Sequence, residues 1–316
     1  MKSLLSNHYV SLLLQIIKGD NLQQCVAQVY DWALFIEILR ENKVLGKVHW
    51  VLENNNLFQS IPTSAQKHFL SAHIQSSRIA SQVTLECKNI CETLNNIGIT
   101  PIILKGAAYS LRSNDTSRGR TYSDIDILIP KHTLTDASQH LLTYGWIPQD
   151  LSDYDKNYYI KWAHELPPIY HRTRGTVVDM HHNIVPPISG RAPNISLFID
   201  SAEQQSGISV LRPAAMALHS MIHLFTSEEY GYGFRDISDI HFLITQYADD
   251  PFWTDIVQLA EKTKFTLELF LALRYCNYLF DTPVPKDVTK ELALTYNNKF
   301  KLQYWDKVFL SVLVPH

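Results

Sequence analysis

Apolar residues recur at helical spacing through the first third of the chain. Between about Tyr9 and Glu53 the stripe Trp32, Leu34, Phe35, Ile38 and Leu39 predicts amphipathic scaffold helices with a break near Leu45-Gly46. Pro62-Thr63-Ser64 predicts the start of a long helix running towards Asn96, with Thr63 or Ser64 as its N-cap and Phe69, Ile79, Val83, Leu85 and Ile90 in its register. Asn95, Asn96 and Gly98 end it. The period then changes. Ile99 to Leu104 is a short apolar run that reads as a buried strand, Gly106 makes a turn, and Ala107 to Leu111 favours a helix. From Tyr122 to Ile129 polar and apolar residues alternate, so Asp124 and Asp126 share one face of a strand while Ile125, Ile127 and Ile129 occupy the other. Thr133 to Tyr144 reads as a helix closed by Gly145.

Farther along, Ile169-Tyr170-His171 and Thr176 to His181 flank Thr173-Arg174-Gly175 and read as a hairpin, which puts Asp179 on the opposite face from Val178 and Met180. Beyond Pro186 and Pro187 a loop-rich passage leads into helices at about 213–225, 234–247 and 252–280. The pattern predicts an α+β protein, a sheet with flanking helices, in three regions. Residues 1–97 form an N-terminal helical region packing on the core, 98–205 the core that carries the sheet, and 206–316 a C-terminal helical domain.

Composition changes this picture little: 46% hydrophobic and 19% charged residues over 316 positions are those of an ordinary globular protein. A formal net charge of −3 argues against bulk nucleic-acid binding, so any polyanion contact must be local. Cys25, Cys87, Cys91 and Cys276 are too few and too scattered for a disulfide framework. The apolar patch Leu12, Leu13, Leu14, Ile16, Ile17 is interrupted by Gln15 and ended by Lys18, and no later run approaches membrane-spanning length; a soluble, cytoplasmic protein without membrane contact is expected.

The chemistry concentrates around the alternating strand. Two carboxylates about 6–7 Å apart on one strand face repel each other unless a hard cation bridges them. An edge strand also carries acids to discourage aggregation, but here the pair sits inside an apolar strand soon after a strand-turn-helix unit, Leu104-Lys105-Gly106-Ala107-Ala108. Asp179 becomes a third carboxylate if its strand is a neighbour. Arg118 and Arg120 lie on the connecting loop, and Arg120 is placed to reach a triphosphate. His219 with His223 at i, i+4, and Asp236 with Asp239 at i, i+3, invite a histidine-aspartate metal site, for which a structural role on helix faces is the preferred alternative. Aromatics at Tyr154, Tyr158, Tyr159 and Trp162 are candidates for stacking on a substrate ring, with packing preferred.

Leu104-Lys105-Gly106, Arg120, Asp124-Ile125-Asp126 and Asp179-Met180-His181 together resemble the nucleotidyltransferase superfamily with the DNA polymerase β-like catalytic fold. More narrowly, the chain is similar to a family of uncharacterised bacterial nucleotidyltransferases, over a span from the helix around Trp32 to the helix at Phe234–Asp239. The resemblance implies a nucleotidyltransferase-like mixed sheet. It also implies a nucleotide site of Lys105, Gly106, Ala107 and Arg120, with Mg²⁺ (or Mn²⁺) held by the catalytic residues Asp124, Asp126 and Asp179. The implied reaction moves a nucleoside monophosphate from a nucleoside triphosphate such as ATP to an unidentified acceptor: a protein, small molecule, sugar or RNA end. Ala107 departs from the glycine or serine found there in the wider superfamily, which removes a hydroxyl contact but keeps a backbone N–H. A metal-dependent phosphohydrolase built on the helical half, and a catalytically silent nucleotide-binding module, are the competing expectations.

Overall fold

The computed structural model describes residues 7–152, 159, 162–227, 230–296 and 298–315. Tyr154 and Tyr158 lie outside the described residues; Trp162 is 47% exposed. Helices α1 (His8–Lys18), α2 (Leu22–Ala27), α3 (Trp32–Glu41), α4 (Leu45–Asn54) and the long α5 (Thr63–Asn95) come first. Leu45-Gly46 starts α4 rather than ending a helix, and α5 begins at Thr63 itself, with Pro62 in the cap position.

A mixed seven-stranded sheet follows. Its strands are β1 (Ile102–Ile103), β2 (Asp124–Leu128), β3 (Trp146–Pro148), β4 (Ile169–His171), β5 (Val177–His181), β6 (Ala202–Gln205) and β7 (Ile208–Leu211), in the spatial order β3-β4-β5-β2-β1-β7-β6. Between them lie α6 (Lys105–Leu111), α7 (Leu134–Thr143) and the one-turn α8 (Ser196–Ile199), and after β7 come α9 (Pro213–Thr226), α10 (Gly233–Tyr247), α11 (Asp250–Thr263), α12 (Thr266–Phe280), α13 (Lys286–Tyr296) and α14 (Lys299–Leu313). The expected α+β class with a mixed sheet and flanking helices is the observed one.

Three elements escaped the sequence pattern. The strand β3 follows Gly145 directly and pairs antiparallel with β4. The hairpin β6–β7 falls where a loop was expected; β6 carries Glu203, Gln204 and Gln205 with little apolar alternation to mark it. Its turn contains Ser206, the position chosen as the C-terminal region's boundary, and β7 pairs parallel with β1 inside the sheet. The helix expected over 252–280 is two, parted at Lys264, whose φ of 63° is left-handed without glycine to announce it.

The two sheet faces divide as the alternation dictates. Ile125, Ile127, Val178, Met180, Ile103 and Val210 point into one core against Cys87, Ile90 and Leu94 of α5, Ala107 and Ala108 of α6 and Ala137 and Leu141 of α7. Each fully buried Ile, Val, Leu or Met side chain among these contributes roughly 1.5–3 kcal/mol. A second core joins α1–α4 and the start of α5 to α9–α14, taking in Ile102, Leu104, Tyr109 and Leu128 beside the sheet. The N-terminal helices therefore pack on the C-terminal helices as well as on the sheet. All four cysteines are buried and free. No helix among the described residues is long and apolar enough to cross a membrane.

Candidate active site

The parallel pairing of β2 with β5 sets the geometry. Its register puts Asp124 opposite Val177, Asp126 opposite Asp179 and Leu128 opposite His181, so Asp124, Asp126, Asp179 and His181 share one face. The sequence pattern foresaw three carboxylates meeting if these strands were neighbours, and they are. Asp126 is 5% exposed, and its Oδ1 accepts from Nζ of Lys105 at 2.8 Å and lies 2.8 Å from Nε2 of His181. Burial alone would raise this carboxyl, yet Lys105 and His181 together hold it well below the usual carboxylate range. Nδ1 of His181 lies 3.1 Å from Oε2 of Glu165.

In its neighbours burial outweighs the compensation that Lys105 and Ser123 give Asp124 and His181 gives Asp179. Burial, then the charge of Asp126, raises Asp124. Burial, followed by Asp126, Asp124 and Glu165, pushes Asp179 up to about 7, and its Oδ1 is buried without a hydrogen-bond partner. An orphaned carboxylate oxygen beside two like charges is hard-donor chemistry that a divalent cation would satisfy, and beside this face His164, Glu165 and His181 offer ligand atoms within 4.8 Å of one another.

Lys105 begins α6 with φ at 46°, a left-handed conformation that costs a non-glycine residue on the order of 1 kcal/mol and aims its side chain at Asp126. No side chain caps the helix start, where Gly106 and Ala107 follow. The Ala107 side chain is buried in the core beneath the sheet. A glycine at 106 reads from sequence as room for a ligand, but a Cβ there would collide with the Arg120 guanidinium and the Tyr122 ring. Those two side chains occupy the space that the missing Cβ leaves.

Arg120 lies against the helical half. Its Nε donates to Oδ2 of Asp239 at 2.6 Å, Nη2 is 3.7 Å from Asp236, and the guanidinium stands 5.5 and 5.1 Å from the Tyr109 and Tyr122 ring centres. Asp236 is also paired with Arg235 at 2.7 Å. The loop carrying Arg120 is also pinned by α4 and by the end of α10. Gly119, at φ 68°, packs backbone to backbone on Gly46 of α4, where neither residue has space for a Cβ. The buried Lys47 amine, which burial pulls down to about 7, donates to the carbonyls of Asp115 and Thr116, and Gln246 of α10 accepts from the Asp115 N–H at 2.9 Å.

A cleft of about 490 Å³ opens between the sheet and α9–α10, lined by Lys105, Gly106, Arg120, Asp124, Asp126, His223 and Asp236 among others. The histidine-aspartate site considered for the helical half does not assemble. Asp236 and Asp239 are taken by arginines, while His219 is 3% exposed and packs edge-on near Phe198. The Lys105 ammonium, then burial, lowers His223 to about 3. Sequence reasoning missed Glu165 behind His181, Lys47 beneath the loop and the pairing of Asp239 with Arg120; no local signal marks a contact made across 119 residues.

The profile of the family described as "Uncharacterised nucleotidyltransferase" matches residues 28–281. Among solved structures, one of ANT(2")-Ia in complex with adenylyl-2"-tobramycin shares 13% identity, covering 57% of this chain and 98% of that one at a TM-score of 0.39. An antigenic nucleotidyltransferase-like protein from Paracoccidioides brasiliensis shares 16%, covering 66% of this chain and 98% of its own at 0.36. JHP933 from Helicobacter pylori shares 12%, covering 70% and 96% at 0.36. No curated protein sequence matches the chain.

Proposed function

The chain belongs to the uncharacterised nucleotidyltransferase family, and from that premise we propose that it transfers a nucleoside monophosphate from a nucleoside triphosphate, ATP among the candidates, to an acceptor hydroxyl, with pyrophosphate leaving. One observation carries this reading: the β2–β5 register gathers Asp124, Asp126 and the unpartnered Asp179 on one face, with Asp124 and Asp126 lining the cleft. Mg²⁺, or Mn²⁺ in its place, held by these three carboxylates would neutralise triphosphate charge that they would otherwise repel.

The chain's own groups have distinct tasks. Lys105 and His181 keep Asp126 ionised and fixed in direction. Gly106 and Ala107 present backbone N–H groups at the start of α6, where a phosphate oxygen would sit. Arg120, held by Asp239, faces the same cleft and contributes positive charge towards the leaving phosphates. Asp179 takes the proton of the acceptor hydroxyl as its oxygen forms a bond to the α-phosphorus and the bond to the β-phosphate oxygen breaks. The phosphohydrolase alternative would need ligands in the helical half, and its aspartates are already engaged by Arg120 and Arg235.

The test is incubation of the full chain with each nucleoside triphosphate labelled at the α-phosphate, Mg²⁺ and cell extract. Covalent label on an acceptor, with equimolar pyrophosphate, is the expected result. Pyrophosphate or phosphate release with no labelled product would replace transfer by hydrolysis. Calorimetry should show triphosphate binding that depends on Mg²⁺; equal affinity without it would contradict the carboxylate-cation arrangement.

A further inference from the structure

Away from the cleft, α4 and α5 bring together His49, Glu53 and His73, each offering one ligand atom, all within 4.8 Å of one another. Helical spacing makes the first two neighbours, since His49 and Glu53 stand at i, i+4 on α4, with Nδ1 of His49 3.6 Å from Oε2 of Glu53. The third comes across the α4–α5 contact, where the His49 and His73 rings lie 4.8 Å apart, centre to centre. His49 is fully buried, and neither of its ring nitrogens has a hydrogen-bond partner. Phe58 packs edge-on against the same ring at 4.7 Å and fixes its plane.

A buried imidazole with both nitrogens unsatisfied is uncommon, because buried polar groups are ordinarily paired. Packing against Phe58 accounts for the ring's apolar faces and leaves its nitrogens unexplained. Glu53 and His73, by contrast, are exposed and keep the rotamer freedom to close on a common centre. Two imidazoles and one carboxylate are a donor set for a divalent transition-metal ion. Bonds of about 2.0–2.2 Å in tetrahedral geometry bring neighbouring ligand atoms to about 3.3–3.6 Å, and the His49–Glu53 separation of 3.6 Å already meets that.

We infer that His49, Glu53 and His73 form a second metal site, open to solvent on one side, which binds a divalent transition-metal ion of the Zn²⁺ type and clamps α4 to α5. The site is separate from the carboxylates of β2 and β5 in ligand chemistry: nitrogen-rich against all-oxygen, so Mg²⁺ does not compete for it. Its remaining coordination positions face water through the exposed Glu53 and His73. Because α4 carries Gly46 and Lys47, which hold the Arg120 loop, metal at this site would stiffen the helix on which that loop rests.

The experiment uses the full chain after chelator treatment, titrated with Zn²⁺ against a chromophoric chelator in saturating Mg²⁺, and with Co²⁺ followed by its visible absorption. The parent should bind Zn²⁺ with a rise in Tm that Mg²⁺ does not reproduce. His73→Gln and Glu53→Gln, both at exposed positions that leave packing intact, should each weaken Zn²⁺ at least tenfold and abolish that rise in Tm. His68→Gln, on the same helix with its Nδ1 already 2.9 Å from Arg40, should change nothing. Absence of Zn²⁺ binding by the parent, or binding and Tm that survive His73→Gln, overturns the site and leaves His49 a packing residue.

Discussion

The face shared by β2 and β5 and the face shared by α9 and α10 look alike in sequence, each bringing histidines and aspartates within a few residues of one another. The structure separates them by what meets the negative charge. On the helices, Asp236 and Asp239 have guanidinium partners and the histidines are held neutral, so the negative charge is met, although Oδ1 of Asp239 and Nδ1 of His219 are buried without hydrogen-bond partners. On the strands, Lys105 and His181 hydrogen-bond Asp126, while burial and the neighbouring carboxylates raise Asp124 and Asp179. Titratable residues close in sequence are thus a poor guide to chemistry until their countercharges are known. An acid whose burial goes uncompensated beside a cleft is the better sign of a ligand site.

The largest expected effect separates the two clusters kinetically. Asp179→Asn keeps shape and removes one charge, so triphosphate binding through Asp124 and Asp126 should survive while single-turnover transfer falls on the order of 10²–10⁴. A folded variant transferring at the parental rate would remove Asp179 from the mechanism and level the contrast. Next comes stability. Asp239→Asn leaves the buried Arg120 without its closest carboxylate and should cost on the order of 3 kcal/mol in denaturant unfolding. Unchanged stability would mean that Asp236 alone compensates the guanidinium.

The same reasoning sets an acid-sensitive window for the helical half. Burial lowers His241, beside Thr282 at 2.8 Å, to about 4. Between the unfolded value near pH 6.5 and about 4, the unfolded chain binds the extra proton, so stability rises with pH there and is lost on acidification. Below about 4 both states are protonated and this contribution no longer changes with pH. The slope from this one residue is at most about 1.4 kcal/mol per pH unit, and His241→Gln should flatten it; an identical acid-unfolding curve would assign the proton uptake elsewhere. The smallest effect has the opposite sign to the Asp239 change. Without metal, Asp179→Asn relieves like-charge repulsion and should stabilise the protein by on the order of 1 kcal/mol at pH 8. Addition of Mg²⁺ should then favour the parent, and a variant no more stable than the parent would mean that the strand carboxylates are compensated after all.

How much of this was legible in the chain follows from how local each signal is. Alternation from Asp124 to Ile129 fixed both the strand and its two faces, because a period of two is written in consecutive residues. The hairpin motif gave β4 and β5, and from them Asp179. The polar β6 gave no such period, and its partner β7 is four residues long. Helix breaks at Gly98 and Gly145 were readable, whereas the break at Lys264 was not, since lysine seldom adopts a left-handed conformation. The glycine at 106, which lines the cleft, also leaves room for Arg120 and Tyr122, a requirement set by residues 14 and 16 positions away. The Arg120–Asp239 and Lys47–Thr116 pairings join distant segments, and a single sequence holds no periodicity that could report them.

The backbone contact between Gly46 and Gly119 bears on how the protein can be taken apart. A fragment cut to the sheet, residues 98–205, would keep every strand aspartate, yet it would lose the glycine, the buried lysine and the helix that hold the loop bearing Arg120. Such a fragment would also lose β7, the parallel partner of β1. Both ends of the chain therefore hold parts of the sheet and of the loop beside it. Split after residue 97, the larger piece would keep every candidate site residue but lose the α4 contacts to the loop bearing Arg120, and reassembly of separately expressed pieces would measure how much those contacts supply.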